Sequence, residues 1–284
     1  MSLTAGSLFL ADAVFLLGAE RRESWKIGIF DTSLRSAGRL SAFPLAKELG
    51  FEGVQVSFPR NNPDSSSESP DSLFVQENRP KFVAAAKETG VAIASLAMGL
   101  LNGLPLATVP EAEGWIEECL DAMVEMNVDR VLIPFFGQAD MNQHKEHQPL
   151  VIEKFKRLAP IAERKKIVLT VESYLSAEDH LKLIDAVGSD AVKVFYDVRN
   201  SKNKGYDIFH EMELLGSQKL ISQIHFKEDR KRLGDGDIDF AKVCATLEKI
   251  GYDGWVVVEG AESGDWKESQ IANAQFIKKL LRRN

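Results

Sequence analysis

The chain is poor in cysteine and histidine, has no excess of positive charge, and lacks both a membrane-length apolar run and a glycine-rich phosphate fingerprint. Its two cysteines, Cys119 and Cys244, lie far apart in helical patterns. That excludes a cysteine zinc motif and a disulfide framework, and it fits a reducing, cytoplasmic setting. The most apolar stretch, LFLADAVFLLGA from Leu8 to Ala19, is interrupted by Asp12 and is too short to span a bilayer. Arg21 and Arg22 follow it instead of preceding it, the wrong order for a secretory leader. Residues 1–24 are therefore expected to form an apolar N-terminal segment, helical or disordered, with no membrane partner. Lys and Arg number 35 against 42 Asp and Glu, a net charge of −7, which argues against a bulk-basic nucleic-acid surface.

The 284 residues are 44% hydrophobic and 27% charged, a globular composition, and from Trp25 onward one unit repeats. A short apolar run rich in β-branched or aromatic residues is followed by a loop and a helix-length amphipathic stretch. The runs are WKIGIF (25–30), FEGVQVSF (51–58), VAIASLAM (91–98), VDRVLIPF (128–135), KIVLTVE (166–172), AVKVFYD (191–197), LISQIHF (220–226) and YDGWVVVE (252–259). Gly50, Gly90 and Gly251 stand where a helix C-cap glycine belongs, and Asp239 stands at an N-cap position. Eight consecutive βα units over residues 25–284 predict an α/β fold, a single (β/α)8 barrel preceded by the N-terminal segment. A doubly wound open sheet is the alternative, but DTSLRSAG after the first run carries no dinucleotide fingerprint.

In a barrel the loops after the strands form one face, the C-terminal face, where substrates bind. The segment PRNNPDSSSESPDS after Phe58 reads as a surface insertion or a lid on that face. The last four runs each bring an ionisable residue to the same rim: Glu172, Asp197, His225 and Glu259, spaced by 25, 28 and 34 residues, about one βα unit each. Any one of these alone is better explained as a cap, a solvated loop residue or a core histidine. Four in register are harder to explain that way. Three carboxylates packed together repel, and a divalent cation resolves the repulsion by taking their oxygens and an imidazole nitrogen as ligands. Mixed O/N ligation without thiolate suits one ion of Mn, Mg, Co, Fe or Zn.

Strand alternation sends Arg199 and Lys227, two residues beyond Asp197 and His225, toward the side of their ligands, and Arg60 lies just past the second run. Each is a candidate for holding a substrate hydroxyl or phosphate. Arg230 and Arg232 are read as solvated. Trp266 is a candidate neighbour of the substrate, although core packing is the default for it as for Trp115 and Trp255. His144 and His147 flank Glu146 and are read as decorating the start of an exposed helix, with a second metal as the alternative. His180 and His210 are expected on solvated helix faces, and Gly234-Asp-Gly236 is expected to be a structural turn.

The pieces GFEGVQV (50–56), VES with Glu172, YDVRN with Asp197, IHFKED with His225, LGDGDIDF (233–240) and GYDGWVVVEG with Glu259 together resemble the sugar phosphate isomerase/epimerase superfamily. These are the xylose isomerase-like barrels that also include endonuclease IV, and the resemblance runs from Trp25 to the C-terminus. It implies a single divalent metal held by Glu172, Asp197, His225 and Glu259. It also implies that Glu172 and Glu259 double as the acid/base pair, moving a proton through a metal-stabilised enediolate of a ketose or sugar phosphate. Dehydration of a polyol-derived ketone on the same site is the alternative. A non-catalytic sugar-binding barrel is a weaker one. An endonuclease-like multi-metal site is disfavoured because all five histidines lie at position 144 or later. Three positions depart from the family pattern: Asn200 replaces a substrate-binding histidine, Lys231 an arginine, and Gln55 a common acidic residue. The expected partner is a small sugar or sugar phosphate, and related barrels make a homo-oligomer an open expectation.

Overall fold

The computed structural model describes residues 25–58 and 71–281. The apolar N-terminal segment 1–24 and the serine-rich insertion with Arg60 lie outside the described residues. Eight parallel strands close into a barrel in sequence order, with β8 pairing back onto β1. They are β1 (Lys26–Phe30), β2 (Gly53–Ser57), β3 (Ala92–Ala97), β4 (Arg130–Phe135), β5 (Val168–Ser173), β6 (Val192–Asp197), β7 (Ile221–Glu228) and β8 (Trp255–Gly260). Each of the eight apolar runs coincides with one of them, β5 and β8 extending one residue and β7 two residues beyond. The helices between and after them are α1 (Ala42–Leu49), α2 (Arg79–Thr89), α3 (Ala112–Met126), α4 (His147–Lys165), α5 (Ala177–Val187), α6 (Val198–Asn203), α7 (Ile208–Ser217), α8 (Phe240–Lys249) and α9 (Trp266–Leu280). This is the expected (β/α)8 barrel, with two helices after β6. Among the described residues, no helix is long and apolar enough to cross a membrane.

Sequence signals end the helices where they were expected to. Gly50 and Gly90 are the left-handed C-caps of α1 and α2, and Asp239 accepts the Lys242 amide at 2.9 Å at the start of α8. Gly251 is left-handed but falls one residue past the C-cap of α8, which is Ile250. On α3, Ile116, Cys119, Leu120 and Met123 are buried, and on α8 Phe240, Val243, Cys244 and Leu247. Both sets follow the i, i+3, i+4, i+7 spacing of one helix face. Both cysteines are thus buried in the core, and neither forms a disulfide.

The strands alternate. Residues such as Ile27, Ile29, Val54, Val56, Val131, Ile133, Val256 and Val258 pack outward against the helices. A separate small cluster of Ala97, Leu132, Phe195 and Val257, joined by Phe30 and Trp255, fills the barrel itself. Trp255 plugs the N-terminal end and explains a strand glycine: a Cβ on Gly53 would lie 2.5 Å from the indole. Above this plug the inward positions turn polar, with Gln55, Ser95, Gln223 and His225 fully buried. Two ladder irregularities, between Val54 and Gln55 and between Val194 and Phe195, fall just below residues that reach this polar end. Register shifts of this kind re-aim the side chains beyond them.

Candidate active site

The barrel brings the four predicted residues together. In register, Asp197 lies beside His225 across β6 and β7, and Lys227 beside Glu259 across β7 and β8. His225 Nδ1 is 3.1 Å from Glu172 Oε1, 3.4 Å from Glu259 Oε2 and 3.7 Å from Asp197 Oδ2. One donor atom from each of the four lies within 4.8 Å of the others. Ligands bonded to one ion at about 2.0–2.3 Å stand about 3–4.5 Å apart, so the spacing matches a shared cation.

Two local features orient these donors. Asp197 is the N-cap of α6, and its Oδ1 accepts the Arg199 and Asn200 amides at 2.8 Å each. Its Oδ2 points toward the other carboxylates, is buried, and accepts no hydrogen bond within the protein. An orphaned buried carboxylate oxygen is costly unless something charged completes it. The second feature is Gln55, whose amide donates to Ser95 Oγ at 3.1 Å and so turns its carbonyl oxygen to His225 Nε2 at 2.8 Å. That carbonyl requires a proton on Nε2, so Nδ1, the nitrogen that faces the carboxylates, is the one a neutral ring offers to an ion. Phe195 and Phe30 pack on the imidazole, with centroids 4.2 and 6.0 Å away. The donor set and its support thus fit a divalent metal ion.

Electrostatics point the same way. Burial pushes the Asp197 carboxyl up to about 7, with Glu259 and Glu172 adding to the rise against the pull of Lys227. Burial disfavours the His225 cation, but the surrounding Glu172, Glu259 and Asp197 outweigh it and raise the imidazole above its ordinary value. Burial alone would raise Glu259, yet His225 and Lys227 pull it below its usual range. Without a metal, the Asp197 carboxyl does not ionise freely at neutral pH. Lys227 lies among them, with Nζ 2.8 Å from Glu259 Oε2 and 3.6 Å from Asp197 Oδ2. Desolvation disfavours its ammonium form, but the three acids overcome that and raise its pKa. Lys227 and Glu259 also line a cleft of ≈ 290 Å³, on which Thr32, Ser33, Arg35 and Glu262 converge. A cavity of ≈ 280 Å³ lies at the far, N-terminal end of the strands, lined by Arg130, Lys193, Ile221 and others, remote from this chemistry.

The remaining candidates divide. Lys227 is where alternation predicts, because β7 runs on to Glu228. Arg199 corrects the expectation of a sugar ligand: its guanidinium is bound to Glu228 and to Asp237, the latter at 2.6 Å. The chain turns helical at Val198, so the strand rule does not extend to it. Asn200 is buried in the first turn of α6 beside Asp197. Trp266 opens α9, half-buried against the hydrophobic core like Trp115, and Trp255 packs on the barrel-interior cluster, the default expected for all three. His180 is a second correction: it is buried, not solvated, with Nε2 2.9 Å from Ser173 Oγ, and burial lowers its pKa to about 4. His210 is exposed as expected. His144, Glu146 and His147 stand together at the start of α4, with the two rings stacked at 4.9 Å and His147 buried. Gly236 lies in a structural turn, where a Cβ would intrude on the Glu228 carboxylate. Sequence reasoning noted Gln55 only as a departure; a lone amide inside the apolar strand GVQVS was the available signal.

Residues 43–280 match the xylose isomerase-like TIM barrel family, and the chain belongs to it. Among curated proteins, it is 22% identical over 282 residues to L-ribulose-5-phosphate 3-epimerase UlaE of Salmonella heidelberg (strain SL476), covering 88% of this chain and 96% of that protein. Among solved structures, 3-keto-D-glucoside 4-epimerase YcjR from E. coli, in its apo form, has a TM-score of 0.74 at 18% identity, covering 90% of this chain and 99% of that one. D-psicose 3-epimerase with D-tagatose from Clostridium cellulolyticum H10 has a TM-score of 0.73 at 19% identity, with 90% and 99% covered. These structural likenesses concern the fold.

Proposed function

We propose that this chain is a divalent-metal-dependent epimerase or isomerase of a ketose or sugar phosphate. The observation that carries the reading is the converging donor set at the ends of β5 to β8, in which Asp197 Oδ2 is buried without a hydrogen bond. The names of the relatives, sugar epimerases among them, support the class of substrate. Glu172, Asp197, His225 and Glu259 hold the ion. When bound, such an ion polarises the carbonyl and neighbouring hydroxyl of a sugar and acidifies the adjacent C–H.

The protein's own groups then move the proton. Glu172 and Glu259 approach His225 Nδ1 from β5 and β8, so a sugar between them offers one face to each. One glutamate removes the proton from carbon and the other returns one. Return to the opposite face of the same carbon epimerises, and return to the neighbouring carbon interconverts aldose and ketose. Lys227, on the cleft wall, takes a sugar oxygen. Asn200, beside Asp197, and Trp266 and Arg60 are the further candidates for substrate contact.

Metal analysis of purified wild type beside Glu172→Ala and Asp197→Ala, each checked by circular dichroism, tests the reading. It requires about one divalent ion per chain in the wild type and its loss in both folded variants. A ketose and ketose-phosphate panel in D2O with Mn²⁺ then reports deuterium at the inverted carbon. A wild type that binds no Mn²⁺, Co²⁺ or Zn²⁺ overturns it, and loss of a hydroxyl from the product would make the enzyme a dehydratase.

A further inference from the structure

Lys227 shares its acceptors with the proposed metal. Its Nζ contacts Glu259 Oε2 at 2.8 Å and Asp197 Oδ2 at 3.6 Å, and these are the same two oxygens that face His225 Nδ1. Asp197 Oδ2 has no hydrogen bond of its own, so the ammonium is the nearest compensation for its charge. The other charged groups nearby are Glu172 and His225 on the barrel side and the Arg35–Glu262 ion pair, 2.5 Å, in the cleft. That pair is self-compensated, which leaves Lys227, together with the His225 imidazole, to balance the carboxylate cluster among the described residues. Its side chain is 23% exposed and lines the cleft, so it has open space on one side and the acids on the other.

We propose that Lys227 is a resident cation of this centre. In the metal-free protein its ammonium holds Glu259 and Asp197 together, and a divalent ion competes with it for those two oxygens. The proposal rests on the metal-dependent reading above. Two effects act in the same direction. The ammonium stabilises the empty cluster, and its charge repels the incoming ion, so both weaken metal binding relative to a neutral side chain. Lys227 therefore keeps the site assembled when empty and sets the metal affinity lower than the four ligands alone would give. Once released from the carboxylates, the ammonium faces the cleft, where a sugar oxygen would meet it.

Calorimetric titration of Mn²⁺ into chelator-stripped wild type, Lys227→Met and Lys227→Arg tests this without any turnover. Lys227→Met is expected to bind Mn²⁺ more tightly by about tenfold or more, because a like charge a few ångströms from the ion is removed. Its metal-free form melts below wild type and its Mn²⁺-loaded form does not. Lys227→Arg, which keeps the charge, stays near wild-type affinity. Lys227→Gln replaces Lys227→Met if the latter does not fold. Equal or weaker Mn²⁺ binding by the neutral variants overturns the proposal while leaving the metal site standing. Failure of every form to bind Mn²⁺ overturns the metal-dependent reading, and this inference with it.

Discussion

Asp31 offers a sharp test of how charge is buried on the functional face. It follows β1 and is fully buried, with Oδ2 accepting the Gly38 and Ser57 amides and Oδ1 the Ser57 hydroxyl, all at 2.7 Å. Burial raises its pKa from 3.8 to about 6 despite these hydrogen bonds. A carboxyl whose pKa is raised by folding contributes stability that is fully present below 3.8 and lost as pH rises through about 6. At 1.36 kcal/mol per pH unit the difference comes to about 3 kcal/mol above pH 7. Asp31→Asn removes the charge and keeps the acceptor for both amides, and its NH2 turns to Ser57 Oγ, which is able to accept. The variant is expected to equal wild type near pH 4 and to exceed it by about 2–3 kcal/mol at pH 8. Urea unfolding of both proteins, chelator-treated, across pH 4–8 gives the difference directly, with the other titrating groups common to both. A difference that is flat across this range, or a variant less stable at pH 8, would refute the reasoning. The hydrogen bonds to the ionised carboxylate would then outweigh its desolvation.

Two further predictions concern support of the site. Gln55→Leu removes the acceptor that fixes the His225 tautomer, and Mn²⁺ affinity measured by calorimetry should fall by about 10–100-fold with the barrel intact. Unchanged affinity would mean that packing by Phe30 and Phe195 alone orients the ring. Arg199→Met strands the buried Glu228 carboxylate, which also accepts the Ile238 amide at 3.2 Å, and should cost about 3–5 kcal/mol in chemical denaturation. Adding Glu228→Met should restore most of that loss. A single variant as stable as wild type would show that Glu228 finds water or another cation.

Local pattern was enough to reveal the strands and their order. Each run from WKIGIF to YDGWVVVE became a strand because a pleated chain alternates its side chains, and because Asp239 and the glycines after α1 and α2 stop and start helices by local hydrogen bonding. The same alternation located Lys227, since β7 stays extended through Glu228. It misled at Arg199, where the repeat changes from 2 to 3.6 residues at Val198 and turns the guanidinium onto Glu228. His180 was misplaced for a related reason: its position on α5 is legible, but which side of the helix meets β5 is not.

The sequence by itself determined that four ionisable side chains end four successive strands, because spacing and period 2 are properties of the chain alone. Only tertiary structure decided that Gln55 would hold His225 across 170 residues of chain, and that Asp197 would keep one oxygen without a hydrogen bond. It also decided that Lys227 would share the acceptors of the candidate metal site. The first depends on closing β8 onto β1, which brings β2 and β7 around one axis at hydrogen-bonding range, and the others on the register of β6, β7 and β8.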